Sequence, residues 1–457
     1  MKPSHYNFIF PTDPSKKLII YNSLTSALAE LERPYMHLLN TPHFNYDALS
    51  ADKKQFIDKL LQGGFILEDS IDELKILKFV HNSNKYDNAD LALTIAPTLH
   101  CNFNCTYCYE QTNSKQVSRS NQAPYMPENI QLDLLHFIKQ KAKILKNLFI
   151  TWYGGEPLLC KDLIFDLSKK IIAIAQEYKV NYFANIITNG YLLTDDRDML
   201  QKLKNSKIET FQITLDGPPD VHNTRRMLKN NNGPTFDRIL KGIKLLAAND
   251  MEVSLRINID KTNMAAAVKL LDILAASNLS GLIIYLGQVS ADTAGCASIK
   301  DSCLTTKEFS VIKQTFCKIL QQKGFKTSTS IDYPHIASPC GATRMNTFVV
   351  DPEGTIYKCW SEIGNRNSRI GTISDLSQRN EGDLMREVRW INWNPFDYDD
   401  CISCKILPIC MGNCGYRAMF INNGPDCTEW KYNLEHYVHA RFNYEKNKKI
   451  HKIYKNK

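Results

Sequence analysis

Ten of the fourteen cysteines in this 457-residue chain fall in two tight sets. Thiols grouped in this way bind metal more readily than they staple a long chain together. The first set is Cys101-Asn-Phe-Asn-Cys105-Thr-Tyr-Cys108. Its spacing lets one short loop present three thiolates to a single iron–sulfur cubane. Three protein ligands on a four-iron cluster leave one iron open, and an open iron can bind and transform a further ligand. Zinc is the competing reading, and it needs a fourth ligand close by. His100 is adjacent but awkwardly placed, and Tyr109-Glu110-Gln111 offers no thiol. The second set is Cys340-x13-Gly354-x4-Cys359 followed by Cys401-x2-Cys404-x5-Cys410-x3-Cys414-x12-Cys427. Seven cysteines at these intervals suit further clusters or a pair of zinc ribbons. Cys160 and Cys317 sit in helical patterns and read as packing residues.

The elements that must hold the first loop are legible as near-continuous apolar runs, which strands buried on both faces require. They are LALTIAP (91–97), NLFITWY (147–153), YFANIIT (182–188), ETFQITL (209–215), VSLRINI (253–259) and LIIYLGQV (282–289). Amphipathic stretches at 133–145, 162–178 and 265–277 alternate with them. Six strand–helix units in a row predict an α/β fold, a parallel sheet curled into a partial (β/α)6 barrel. The first cysteine loop then follows the first strand, at the end of a barrel where active sites are built.

Before the barrel, residues 1–88 form a small module of their own. Two β-like runs at 7–11 and 17–23 precede helical patterns at 26–40 and 51–65, and Gly63-Gly64 closes the second. ILED (66–69) can pair as a third strand. The barrel is expected over 89–300, a connector over 301–330, a cysteine-rich domain over 331–440 and a basic tail over 441–457. The region 330–440 loses the strand–helix rhythm and shows little apolar core, so bound clusters are its expected source of stability.

Composition limits the alternatives. The hydrophobic share of 43% and charged share of 23% are those of an ordinary globular protein. No run approaches the length that crosses a bilayer, and the start MKPSHYNFIFPTD lacks a signal-peptide core. A cytoplasmic protein with no membrane or nucleic-acid partner is expected. Of the net charge of +8, the segment from Glu445 onward supplies +5, with six lysines against one glutamate. That reads as a solvated tail, with a secondary use in drawing in an acidic partner.

With these motifs in view, the chain resembles the radical S-adenosylmethionine (SAM) superfamily over roughly residues 91–300. Its motif carries an aromatic before the last cysteine, here Tyr107, which the resemblance places near the adenine. Gly154-Gly155-Glu156-Pro157 matches the family's GGEP, where the strand edge and Glu156 receive the SAM ammonium. Thr188-Asn189 follows the third strand. Thr214-Leu215-Asp216-Gly217-Pro218 follows the fourth, with Thr214 facing the ribose or carboxylate and Arg226 the carboxylate. Arg256 and Asn258 lie on the fifth strand. The resemblance implies a SAM-binding [4Fe–4S] cluster on Cys101, Cys105 and Cys108, and an oxidoreductase that draws a 5′-deoxyadenosyl radical from SAM.

The second set resembles the SPASM domain, which implies two auxiliary [4Fe–4S] clusters, three in all. By position, Cys401, Cys404, Cys410 and Cys427 enclose one, with Cys427 the least regular in spacing. Cys340, Cys359 and Cys414 hold the other. Fully ligated relatives carry one more cysteine just after the first, where this chain reads Gly341-Ala-Thr-Arg-Met-Asn346-Thr. The inner cluster therefore has an open iron for a substrate thiolate, unless Cys296 or Cys303 fills it. Such enzymes mostly modify peptides or proteins. Sulfatase-maturing enzymes place an Asp, the presumed base, after the second SPASM cysteine; here Trp360 stands there. The favoured reading is a maturase of ribosomally made peptides that forms thioether crosslinks. Residues 1–88 resemble a winged-helix module that takes a leader peptide as an added strand, and a flavodoxin or ferredoxin supplies electrons. Formylglycine formation, carbon–carbon crosslinking and peptide epimerisation are the alternatives, the last needing a thiol hydrogen donor not identified. A plain electron carrier or zinc scaffold has no use for GGEP and the strand-end residues.

Overall fold

A computed structural model of the chain describes residues 1–12, 17–32, 36–110, 125–325, 334–376 and 379–455, with side chains to 446. Residues 326–330 of the expected connector and the last two of the expected tail lie outside the described residues. The chain divides into two compact units, and neither is one continuous segment. The first comprises Met1–Asn84, Ser328–Pro339 and Asn394–Lys457; the second comprises Lys85–Thr327 and Cys340–Trp393.

In the first unit, β1 (Lys2–Pro3) pairs antiparallel with β5 (Ile66–Leu67). Strands β2 (Asn7–Pro11), β3 (Lys17–Asn22) and β4 (Leu28–Glu32) form an antiparallel meander in that order. The strands expected at 7–11 and 17–23 and the helix expected at 51–65 are present, the last as Ala51–Gln62. The helix expected over 26–40 is not. Its first part is β4, and only Met36–Asn40 is helical. Leu-Ala-Glu-Leu-Glu favours a helix locally, but pairing along β3, with Leu31 opposite Leu18 and Ala29 opposite Ile20, overrides that preference. Pro34 was the signal against a continuous helix, because it lacks the N–H that an interior turn needs. Helix Glu73–Lys85 was not anticipated. The C-terminal segment belongs to this same unit. Expected to be a solvated tail from 441, it is the second half of helix Trp430–Lys455, whose Leu434 and Val438 pack on Ile19 and Tyr21 of β3.

The second unit follows the expected order closely. Strands β6 (Asp90–Ile95), β7 (Asn147–Trp152), β8 (Asn181–Ile187), β9 (Ile208–Thr214), β10 (Glu252–Ile259) and β11 (Ile283–Gln288) are parallel and adjacent in chain order. Helices Glu128–Ala142, Lys161–Glu177, Phe236–Ala247 and Met264–Ala276 cover one face. Their apolar stripes meet Leu93, Ile150, Ile186, Phe211, Ile213 and Leu255 in one large core. Among the described residues the sheet stays open at β11.

At its other edge the sheet does not stop. β12 (Thr347–Val350) pairs parallel with β6, and β13 (Thr355–Tyr357) and β14 (Gly371–Thr372) continue it antiparallel. Phe348, Val350, Ile356 and Ile370 enter the barrel core. The segment expected to have little core of its own is thus stabilised by the sheet it extends.

Leu255 is fully buried at the centre of β10. Leu255→Ala should cost about 2–5 kcal/mol, transfer and cavity terms together. The readout is a clear drop in the denaturation midpoint, beside little change for the half-buried neighbour Ser254→Ala.

Candidate functional site

The first cysteine loop leaves β6 at its C-terminal end and is stitched to two other segments by backbone bonds. Gly155 N–H donates to Thr98 O at 3.3 Å and Glu156 N–H to His100 O at 2.9 Å, joining the GGEP turn to the residues just before Cys101. The approach is close. A Cβ on Gly154 would stand 2.3 Å from Thr98 O, and one on Gly155 would stand 2.2 Å from His100 O. No side chain fits at either position. On its other side, Asn104 N–H donates to Met227 O at 2.9 Å and Thr106 N–H to Arg225 O at 3.0 Å. Lys229 N–H returns a bond to Asn102 O at 2.8 Å. The segment after β9 therefore lies antiparallel beside the cysteine loop, which brings Arg225 and Arg226 to it.

The three thiols share this enclosure. Burial pushes Cys101 and Cys105 up from the usual thiol value and takes Cys108 to about 12; Cys105 adds to the rise at both others, while Arg226 opposes it at Cys105. Bare thiols here stay protonated, whereas coordination to a metal removes the proton outright. Phe103 N–H already donates to Cys101 Sγ at 3.4 Å, a bond that stabilises a thiolate. Among the described residues no three His, Cys, Asp or Glu side chains converge closely enough to hold a single metal ion. A cubane presents several irons to its ligands rather than one.

Around the loop, the expected residues come together with clear division of labour. Glu156 is fully buried, and its carboxylate accepts from Leu158 N–H at 3.0 Å, Thr188 Oγ1 at 2.6 Å and Asn189 N–H at 2.7 Å. Burial raises its carboxyl from the usual value against those donors. Glu156 thereby clamps GGEP to the end of β8. Asn189 Nδ2 then donates to Asn102 Oδ1 at 2.7 Å, inside the cysteine loop. Tyr107 hydroxyl donates to Asp216 and accepts from Arg226 Nη1 at 2.8 Å and Asn258 Nδ2 at 3.1 Å. Arg256 Nε holds Asn258 Oδ1 at 2.7 Å and passes across Gly287, where a Cβ would be 2.4 Å from that nitrogen. Thr214 ends β9, buried and opposite Arg256. Pro157 begins a 3-10 turn that ends at Cys160, itself buried, and Cys317 is buried in helix Thr306–Gln322.

Several supporting residues escaped the sequence reading. Asp216 N–H donates to His222 Nδ1 at 3.2 Å, and burial, with Arg226 and Arg225 near, pushes His222 well below its usual value and keeps it neutral. Asn263 Nδ2 bonds Asp216 O at 2.9 Å and Asn258 O at 2.8 Å. Asp260 takes Arg225 Nη1 at 2.8 Å. The signal available was the recurrence of polar residues just past each strand end. Cys296, buried, donates its thiol to Tyr107 O at 3.4 Å, and Cys303 to Ile299 O at 3.3 Å.

The second cysteine set divides between the units. In the second unit Cys340 and Cys359 each precede a 3-10 turn, and burial, then Cys340, raises the Cys359 thiol. Lys358 lies buried between them in sequence, its ammonium donating to Arg344 O at 2.5 Å and Thr347 O at 2.8 Å. Trp360 is 48% exposed, with its ring 5.9 Å from that of Tyr153. In the first unit, burial takes Cys401 to about 11, with Cys410, Cys404 and Cys427 adding to the rise. Three successive left-handed residues, Met411, Gly412 and Asn413, turn the chain between Cys410 and Cys414, and Gly412 N–H bonds the Cys410 sulfur. Strained backbone of this kind is kept where function demands it. Lys431 Nζ donates to Cys427 Sγ at 3.4 Å.

Residues 95–274, which span the loop, the GGEP turn and the strand-end residues, match the radical SAM superfamily. The chain carries a radical SAM domain. Curated relatives include Fe-coproporphyrin III synthase of Methanosarcina barkeri, 23% identical over 70% of this chain and 82% of that protein. Radical SAM cyclopropyl synthase TigE of Paramaledivibacter caminithermalis is 22% identical over 90% of this chain and 88% of its own. Among solved structures, native anSMEcpe with bound AdoMet and Cp18Cys peptide superposes with a TM-score of 0.59 at 17% identity, covering 78% of this chain and 98% of that one. Streptococcus suis SuiB bound to precursor peptide SuiA gives 0.51 at 15% identity, covering 94% and 98%. The radical SAM relatives are enzymes, and so is this chain. The superfamily implies a [4Fe–4S] cluster and SAM, and the site suits them. Three thiols sit on one loop, glycines admit close backbone, and buried Arg226 Nε has no hydrogen-bond partner among the described residues, ready for an anionic group. Among the described residues no helix is long and apolar enough to cross a membrane.

Proposed function

We propose that this radical SAM enzyme matures a ribosomally made precursor peptide by joining a cysteine sulfur to a carbon of the same peptide. The peptide reading is carried by the extent of the match: TigE and the SuiB–SuiA structure align with 90% and 94% of this chain, which takes in the first unit as well as the radical SAM domain. In that unit β2 and β4 are, among the described residues, each paired on one side only, and an extended leader can add to such an edge.

Cys101, Cys105 and Cys108 hold the SAM-binding cluster, and Cys401, Cys404, Cys410 and Cys427 an auxiliary one. Cluster and SAM together supply an abstractor of carbon-bound hydrogen. The chain's own residues do the rest. Glu156, Asn189 and the GGEP backbone fix the loop and the strand edge that receives the methionyl amine. Arg226 meets the methionyl carboxylate, and Thr214 and Asn258 line the same side. Trp360 stands where a sulfatase-maturing enzyme has its acid, so the turn after Cys359 has no carboxylate at that position to take a proton. The stretch from Gly341 to Thr347 lacks a cysteine, which leaves the auxiliary site containing Cys340 and Cys359 one ligand short, and the thiolate of the peptide fits that vacancy chemically. A flavodoxin or ferredoxin is the proposed electron source.

Each crosslink breaks one C–H and one S–H bond: the carbon hydrogen would leave on the deoxyadenosyl group of SAM, and the sulfur would release its proton while the remaining electron passes to a cluster held by the cysteine sets. Co-expression under anaerobic conditions with the precursor peptide encoded beside the gene should lower the peptide mass by two hydrogens per crosslink. Replacing the peptide cysteines should abolish the change, and an unchanged mass rejects the proposal. The match to TigE favours a second reading, carbon–carbon ring formation. It predicts the same loss of mass but persistence after the peptide cysteines are replaced.

A further inference from the structure

Arg225 ends helix Pro219–Arg225 and is 8% exposed. Its Nη1 donates to Asp260 Oδ2 at 2.8 Å and to Thr262 Oγ1 at 3.1 Å. The rest of the guanidinium makes no hydrogen bond among the described residues. Nε stands 3.6 Å from Asp216 Oδ2, beyond hydrogen-bond distance, and neither Nε nor Nη2 has a hydrogen-bond partner among the described residues. Such orphans are rare inside proteins, because donors stripped of water and given nothing in return are costly. The group is also held in place. Its centre lies 5.1 Å from the centroid of the Tyr107 ring, and its own carbonyl accepts from Thr106 N–H at 3.0 Å, within the cysteine loop. A guanidinium fixed this firmly, with unused donors beside Tyr107, is arranged for a ligand rather than for the fold alone.

The neighbouring charges indicate which part of a ligand it takes. Asp216 and Asp260 already face Arg225 and neutralise it. A third carboxylate brought to the same place meets two of its own sign. Arg226 has no such pair of acids: its Nη1 goes to the Tyr107 hydroxyl, and its buried Nε is unpartnered among the described residues. The two adjacent arginines are therefore not equivalent. We infer that Arg225 binds the nucleoside half of SAM, donating from Nη2 and Nε to a neutral acceptor, a ribose oxygen or an adenine nitrogen, while Arg226 serves the carboxylate. The inference rests on the SAM site and is independent of the peptide.

The test is equilibrium binding to anaerobically reconstituted full-length protein, with SAM, 5′-deoxyadenosine and L-methionine as separate probes. Arg225→Lys keeps the charge that pairs with Asp260 but loses the planar fork. It should bind SAM and 5′-deoxyadenosine at least about tenfold more weakly, as loss of charged hydrogen bonds in a buried site does, with methionine binding and iron content unchanged. Arg225→Met should show a larger loss. Wild-type affinity for all three probes in Arg225→Lys overturns the inference, as does a loss confined to methionine. Should Arg225→Met fail to assemble its cluster, Arg225→Lys still decides. Wild-type protein that binds SAM but modifies no peptide leaves this inference standing and rejects only the proposed function.

Discussion

Replacing Cys101, Cys105 and Cys108 together with alanine will reduce 5′-deoxyadenosine formation from SAM to the level of enzyme-free controls. The reason is chemical, because among the described residues the thiol that meets the loop from outside the motif, Cys296 at Tyr107 O, is a single sulfur and cannot supply three ligands. The loop offers three thiols, its partners are amides and an alcohol-bearing network, and Glu156 and Asp216 are committed to the donors that hold them. Without the thiols there is no iron with an open position beside Arg226 and the GGEP edge. The loop itself should survive, since its backbone is tied to Met227, Arg225 and Lys229 independently of the sulfurs. Anaerobic iron and sulfide analysis should accordingly show the loss of one cluster's worth of iron relative to wild type. SAM cleavage persisting in the triple variant would falsify the assignment of the cluster to this loop.

Gly155→Ala will be nearly as damaging to activity, although it removes no functional group. Gly155 does not use a left-handed conformation, so the effect is purely one of space. The added methyl meets His100 O at 2.2 Å, His100 C at 2.5 Å and Leu99 O at 2.7 Å, all backbone, and none can swing aside as a side-chain tip could. Relief requires the strand edge and the chain just before Cys101 to separate, which breaks the Glu156 N–H bond to His100 O. Overpacking of this kind costs about 3 kcal/mol or more when backbone must move. The expected result is a lowered melting temperature together with poor cluster retention and a collapse in SAM affinity. Gly281→Ala is the matched control, because a Cβ there meets nothing within 4 Å. Equal behaviour of the two variants would show that the close approach of the two segments does not matter to the site.

The barrel strands, and the gathering of three thiols on one loop, were legible because both depend on local sequence. Three thiols within eight residues share one short loop, and strands buried on both faces must be apolar throughout. The six strand runs therefore fell within a residue or two of the observed ends. Residues 26–40 show where local information fails. A Leu-Ala-Glu-Leu-Glu stretch has no fixed preference strong enough to resist an open strand edge, so β3 decided the conformation of β4. Helix Glu73–Lys85 and the union of β12 to β6 were illegible for a related reason: each depends on surfaces contributed by distant segments.

At the candidate site the same boundary holds. The sequence places Thr214 at a strand end and Arg226 in the connection that follows. It carries no information on which donor meets which acceptor. That Tyr107 hydroxyl sits among Asp216, Arg226 and Asn258, and that Arg225 differs from its neighbour, follow from the antiparallel stitching of residues 225–229 onto 102–106, whereas Glu156 braces Asn189 because β7 and β8 lie side by side. By itself the amino-acid order determined which thiols share one loop and which segments form the parallel sheet, since thiol spacing and apolar periodicity are properties of neighbouring residues. Only the tertiary structure decided how charges pair around the loop, because burial and hydrogen-bond partnership arise between residues far apart in sequence, 33 positions for Glu156 and Asn189 and 109 for Tyr107 and Asp216.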